Sequence, residues 1–419
     1  MTGKDRSRTV SSTIKLSPVI WILGGSSVVY QMIAAWPLLR RRIQIRKASS
    51  LQLLIIAYCL IYAASITAAA LSGAELIRLL AALYNLSIWV AGAIVFTTVY
   101  HEDHARIRHW SRFVLIFLAI ASIISYAAFS GSGSVRFSSL MGYLVGSDRL
   151  PENLAANTDL YITSADWSTL GIGSRLSIMA PYPTALGMLA LVLTGLSAPD
   201  TWDRRSLLLF APYVLIGLLL SFLCASRATM GSNILFIAVM GFFYISRASK
   251  SLDFKIFLIC GSIVLCICAT LLLGDKLASA WNSVNDARAD SSSLRFELYK
   301  RSVSSALESH PIIGFGVKER ISAYAIPLGS HSTVFGSMYK TGILGLLSVM
   351  SIFLYIALAA IKAGLTSRSL YRAGLAAASV SMLPLLLFED IDSIPLVAYL
   401  FFVSLAILER STQSLDEAN

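Results

Sequence analysis

Charge is what this sequence has least of. Only 14% of its 419 residues are Asp, Glu, Lys or Arg, while 56% are hydrophobic and the mean hydropathy is +0.71. A soluble domain carries roughly 25% charged residues, so that class is excluded. Acidic residues are the scarcer sign, 23 against 34 basic, which leaves a net charge of +11. The basic residues gather in short connections between apolar runs, so nucleic acid is not the expected partner. Cysteine is sparse too: Cys59, Cys224, Cys260, Cys266 and Cys268 lie within or at the ends of apolar runs, with no metal-ligand spacing and no disulfide framework. There is no glycine-rich phosphate loop, no carboxylate cluster suited to a metal, no internal repeat and no low-complexity segment. No cleavable signal peptide is expected, because the first apolar run, 18–39, is long enough to span and stay.

The remaining residues predict an all-α, polytopic transmembrane helix bundle treated as one integral membrane domain over 1–419. Apolar runs fall near 18–39, 51–72, 76–99, 111–130, 183–199, 206–224, 229–246, 254–274, 341–362, 370–388 and 393–408. That gives about eleven spans, within a range of ten to twelve. Arg40, Arg41, Arg42, Arg46 and Lys47 mark one connection as cytoplasmic. Arg106, Arg108 and Arg112, then Arg204 and Arg205, then Arg247, Lys250 and Lys255, then Lys362, Arg368 and Arg372 do the same. The opposite short connections, Ser72–Glu75 and Glu389–Asp392, are neutral or acidic. This count leaves the basic N-terminus on the outer side, which calls for an extra or a missing segment.

Two long stretches fall on the outer side: 131–182, and the larger 275–340. Within the second, Phe296, Tyr299, Val303 and Ala306 recur at helical spacing after a serine run that can cap, predicting a helix over Ser291–Leu307. His310-Pro311 stops it and Gly314-Phe315-Gly316 turns the chain.

Four outer-side places could carry chemistry. Ser226-Arg227 lies in a connection so short that Arg227 meets the membrane edge; a snorkelling arginine is the ordinary alternative. Arg295 lies in the loop helix, where taken alone a solvated face, with Glu297, Lys300 and Arg301 as neighbours, is the favoured explanation. Arg175 precedes the Pro181/Pro183 approach to a span, where glycines and prolines could simply shape a turn. His331 stands just before a span that opens with Gly342 and Gly345. Of the other histidines, His101, His104 and His109 lie in a charged cytoplasmic loop and His310 ends a helix.

These residues resemble the bacterial O-antigen ligase and polysaccharide polymerase superfamily. Its ligases show His, then Asn, Ser or Gln, nine residues, Gly, two residues, and Gly, Thr or Tyr. His331-Ser332 followed by Gly342 and Gly345 has that spacing. A Ser-Arg pair at a span edge is matched by Ser226-Arg227. A loop-helix Arg followed by Pro-x-x-Gly-x-Gly is matched by Arg295 and Pro311–Gly316. The Arg175–Gly187 segment is similar as well, so the resemblance covers about 170–350. Many members have Asn where this chain has Ser332.

The resemblance implies a GT-C-like bundle in the bacterial inner membrane, with its active site facing the periplasm in part from the large loop. It implies an inverting, metal-independent glycosyltransferase without cofactors. The donor would be an undecaprenyl-diphosphate-linked oligosaccharide and the acceptor a glycan or lipid A-core, with other polysaccharide assembly and export proteins as partners. Arginine suits the anionic leaving group through bidentate, permanently charged contacts, which points to Arg227 and Arg295, assisted by Arg175. Histidine suits proton removal from the attacking hydroxyl, or orientation of the acceptor, which points to His331. Ser226, Ser332, Lys318 and Arg320 are expected at the diphosphate or acceptor. A polymerase of exopolysaccharide or O-antigen repeat units is the preferred reading, with the ligase that delivers a finished chain to lipid A-core as the alternative. A protein-glycosylating relative comes third. From another class, a lipid-linked sugar transporter or flippase would show duplicated halves and polar residues deep in its spans; no duplication is visible here.

Overall fold

The computed structural model describes residues 9–39, 48–99, 102–129, 132–146, 149–150, 152–164, 175–248, 289–319 and 327–416. The chain is mostly helical among these residues. Helices α1 (Thr9–Ile22) and α2 (Val29–Leu39) are joined by a 3-10 turn at Gly25–Ser27. Gly24 takes the left-handed conformation, φ 79°, and a Cβ there would overlap Ser139 and the Thr158 carbonyl. The 18–39 run is therefore not one span: glycine breaks it where the chain meets the outer segment. Glu102 caps the start of α1, accepting from the Val10 N–H at 2.9 Å and from Ser11. Since Glu102 lies in a basic connection, the hairpin returns the N-terminal helix start to the basic face, and the unmatched N-terminus of the sequence reading is removed.

Next come α3 (Ser50–Leu71), α4 (Leu76–Thr98) and α5 (His104–Phe129). The first outer stretch departs from an all-α chain. It holds β1 (Val135–Phe137), α6 (Leu140–Val145), α7 (Glu152–Thr158), β2 (Leu160–Ser164) and β3 (Arg175–Leu176). The strands form an antiparallel sheet in the order β1-β2-β3. Strand formers such as Val135, Phe137, Tyr161 and Ile162 favour it, and Thr163 Oγ1 ties its edge by accepting from the Val135 N–H at 3.0 Å.

Helix α8 (Pro183–Leu196) follows, opened by Pro183 in its first turn, where no N–H is needed. All 14 of its residues are buried, but it is shorter than a full crossing. Then come α9 (Arg204–Leu223), α10 (Arg227–Ala248), α11 (Ala289–Ser309), α12 (Thr333–Thr366), α13 (Leu370–Phe388) and α14 (Pro395–Asp416). Among the described residues seven helices are long and apolar enough to cross a membrane: α3, α4, α5, α9, α10, α12 and α13. The expected span at 254–274 lies outside the described residues. Small residues let the inner helices touch: a Cβ on Gly195 of α8 would meet Ala378 of α13 at 2.5 Å, and one on Gly374 would meet Ala198 at 2.6 Å.

The two faces sort by charge. Arg108 pairs with Asp200 at 2.6 Å, Arg112 donates to the Ser197 carbonyl and Arg247 to the Arg368 carbonyl. Those contacts gather the basic connections on one face. The α3–α4 turn, the sheet, α11 and the 389–393 connection gather on the other.

Candidate functional site

The site begins where α12 begins. Ser332 is its N-cap: its buried Oγ accepts from the Phe335 N–H at 3.0 Å, so this hydroxyl is engaged in starting the helix. His331, just outside the cap, holds φ +60°, a left-handed conformation uncommon for a non-glycine residue. Tyr299 of α11 donates its Oη to the His331 carbonyl at 2.6 Å, and Tyr299 stacks on Phe335 of α12. The loop helix therefore fixes the backbone of the histidine. On α11 itself the inward face is Leu298, Tyr299, Ser302 and Ala306, whereas Phe296 is 70% exposed.

Two sequence features prove to be physical mates. Gly342 breaks α12, with φ 64° and ψ −161° inside the span. The turn Pro311–Gly316 lies across that break. Phe315 and Gly316 donate their N–H groups to the carbonyls of Tyr339 and Lys340 at 2.9 and 2.8 Å. Ile343 and Leu344 donate to Pro311 and Ile312 at 2.8 and 3.3 Å. A helix broken within a membrane protein must have its freed groups satisfied by protein, and this turn does so. A Cβ on Gly314 would meet the Gly342 amide nitrogen at 2.6 Å, and one on Gly342 would strike the Ile312 carbonyl. Only backbone fits between them.

Carboxylates from the 389–392 connection face the site cations. Arg295 donates to Glu389 Oε1 at 3.3 Å and to the Phe388 carbonyl at 3.2 Å. Lys318 pairs with Asp390 at 2.6 Å. Lys340, two turns into α12 and 1% exposed, pairs with Asp392 at 2.5 Å and Asp390 at 3.5 Å. Burial raises Glu389 above the usual carboxylate range against the pull of Arg295. Burial also opposes ionisation of Asp390, but Lys318 and Lys340 hold it low; burial and the neighbouring Asp390 charge push Asp392 up. His331 is pulled down to about 3, first by burial and then by the Arg295 and Lys318 charges, so its imidazole is neutral near pH 7.

Arg175 opens β3 and donates Nε to the Cys224 carbonyl at 3.1 Å, which brings it to the α9–α10 turn. Its charge also acts on Glu389. Ser226 caps α10, its Oγ accepting from the Thr229 N–H at 3.4 Å. Arg227 is exposed in the first turn of α10. A cavity of about 620 Å³ opens on this face. Its lining includes His331, Lys318, Glu389 and Asp390, together with Arg78 and Asn85 of α4. Arg78 reaches across, donating to the Lys318 carbonyl at 3.0 Å.

His331, Lys318, Arg295 and Arg175 thus converge, while Ser226, Arg227 and Ser332 sit at helix starts on the same face. Arg320 lies outside the described residues. Sequence reading missed Arg78, Asn85, Lys340 and the acids 389, 390 and 392. A lone Lys340 and a lone Asn85 within apolar runs were the available signals. Among the described residues no group of three or more His, Cys, Asp or Glu is placed to hold a metal.

Residues 212–350 match the family Wzy_C, described as O-Antigen ligase. No curated protein matches the chain. The match spans Arg227, Arg295, Lys318, His331 and both sides of the Gly342 junction, while Arg175, Arg78 and the 389–392 acids lie beyond it. Over residues 212–350 this multi-pass membrane chain is thus similar to the O-antigen ligase family.

Proposed function

We propose that the protein is an inverting glycosyltransferase of the inner membrane that polymerises undecaprenyl-diphosphate-linked repeat units at the periplasmic face, within a GT-C-like bundle. The observation that carries this reading is one cavity lined by a neutral histidine and a lysine, with Arg295 acting on the same histidine, on the face opposite the basic loops. An acceptor hydroxyl attacks the anomeric carbon of the donor. The bond from that carbon to the diphosphate oxygen breaks, and undecaprenyl diphosphate leaves with the electron pair. The hydroxyl proton passes to His331. Arg295, with Arg227 and Arg175, offsets the charge growing on the leaving diphosphate.

The ion pairs fit this scheme. A diphosphate competes with Glu389 for Arg295 and with Asp390 for Lys318. Once it neutralises those cations, the pressure that keeps His331 deprotonated falls, so the histidine gains basicity as the donor docks. Purified protein is given an undecaprenyl-diphosphate repeat unit. Release of free undecaprenyl diphosphate with a growing glycan is expected, and no release by wild type from an active donor overturns the reading. The ligase alternative is checked in a null strain: single repeats persisting point to polymerase, and long chains stranded on the carrier point to ligase.

A further inference from the structure

The donor-side cations account for part of the cavity lining and leave the α3–α4 wall unexplained. That wall carries Asn85 and Arg78 of α4 and Tyr62 of α3. Tyr62 and Asn85 each lie nine residues from the ends of their helices at the α3–α4 turn, Leu71 and Leu76, so they sit at one depth, roughly 14 Å along the helices. Tyr62 is fully buried and Asn85 is 2% exposed. Among the described residues neither Tyr62 Oη nor Asn85 Oδ1 has a hydrogen-bond partner. Buried polar atoms without partners are uncommon, and each left unmade costs about 1–3 kcal/mol. Other polar groups around the same cavity are satisfied: Lys318 by Asp390, and Tyr182 and Asn157 by Ser393.

We propose that Tyr62 and Asn85 form a subsite for the hydroxyl groups of the acceptor sugar, a reading that rests on the glycosyl transfer inferred above. The chemistry selects the ligand class. Asn85 Oδ1 only accepts, so it needs an O–H or N–H donor; a phosphate or carboxylate would meet it lone pair to lone pair. An apolar group would leave both atoms unmatched. A neutral polyol supplies donors to Asn85 and either partner to Tyr62. The diphosphate is drawn instead to the Arg295 and Lys318 side. His331 lines the same cavity as the α3–α4 wall that would hold the acceptor. Both subsite residues lie outside the family match at 212–350, so this wall is free to set which glycan end is accepted.

The test uses the full-length protein, its undecaprenyl-diphosphate repeat unit as donor, and oligosaccharide released from the host's own polymer by mild acid as acceptor. Asn85→Leu and Tyr62→Phe each remove one hydrogen bond without adding a charge. Each is expected to raise KM for the oligosaccharide about tenfold while KM for the donor stays within twofold. Unchanged acceptor KM in both variants, or equal losses toward donor and acceptor, overturns the subsite. If wild type releases no undecaprenyl diphosphate, the transferase reading itself fails. The subsite is then decided by thermal shift with the same oligosaccharide: stabilisation of wild type that Asn85→Leu abolishes supports it, and absence of any shift overturns it.

Discussion

At His331 two pressures act on one imidazole. Burial and the Arg295 and Lys318 charges all disfavour its protonated form and pull it to about 3. Below that value an imidazolium cannot accept a proton, so the acid limb of kcat/KM reports it. Lys318→Gln removes a neighbouring positive charge, which raises the His331 pKa and moves the acid limb to higher pH. Lys318→Arg keeps the charge and leaves the limb in place. A pH–rate profile of the two variants checks both directions. His331→Ala is expected to lose about 10²–10⁴-fold in turnover; wild-type turnover in that variant would remove it as the proton acceptor. The 330–332 stretch divides its labour: His331 lines the cavity and Ser332 caps the helix.

At the scale of elements, the Pro311–Gly316 turn and the break in α12 form one joint. It fixes the base of the loop helix that bears Arg295 and Tyr299, and Tyr299 in turn holds the His331 carbonyl. Gly342→Ala forces a side chain into the Ile312 carbonyl at positive φ, and such strain costs of order 1–3 kcal/mol before any clash is counted. Its thermal unfolding temperature in detergent is expected to fall. Gly231→Ala in α10, with nothing within 4 Å, is expected to leave it level or higher. The Lys340 pair gives a second prediction. Asp392→Asn strips a fully buried lysine of its nearest partner, and breaking a buried pair costs about 3–5 kcal/mol. Adding Lys340→Met removes the stranded charge, so the double variant is expected to recover stability in the same melt.

At the scale of the whole molecule, the hairpin of α1 and α2 brings the N-terminal helix start to the basic face. A fluorescent protein fused to the N-terminus is therefore expected to fold and emit in cells, as cytoplasmic fusions do, and an alkaline phosphatase fusion there to be inactive. The reverse pattern would place the basic face outside. The face that bears the cavity is composite. Residues 212–350 bring cations and the histidine, α3 and α4 bring Tyr62, Arg78 and Asn85, and the 389–392 connection brings the acids that balance the cations at rest.

The sequence by itself determined the membrane class, most helix positions, the sidedness of the basic loops and the likeness carried by His331, Arg295 and the glycine turn. These are local properties: hydropathy, periodicity and spacing are written along the chain. The loop helix was legible, but helical spacing did not say which of its residues face inward, and Phe296 points out, because facing depends on what the helix docks against. Tertiary structure alone decided that an apolar run folds back at Gly24, that Pro311–Gly316 fills the gap at Gly342, and that Lys340 meets Asp392. It also decided that Tyr62 and Asn85 share the cavity with His331. Each of those facts is a distance between residues far apart in sequence, set by helix packing that no single stretch encodes.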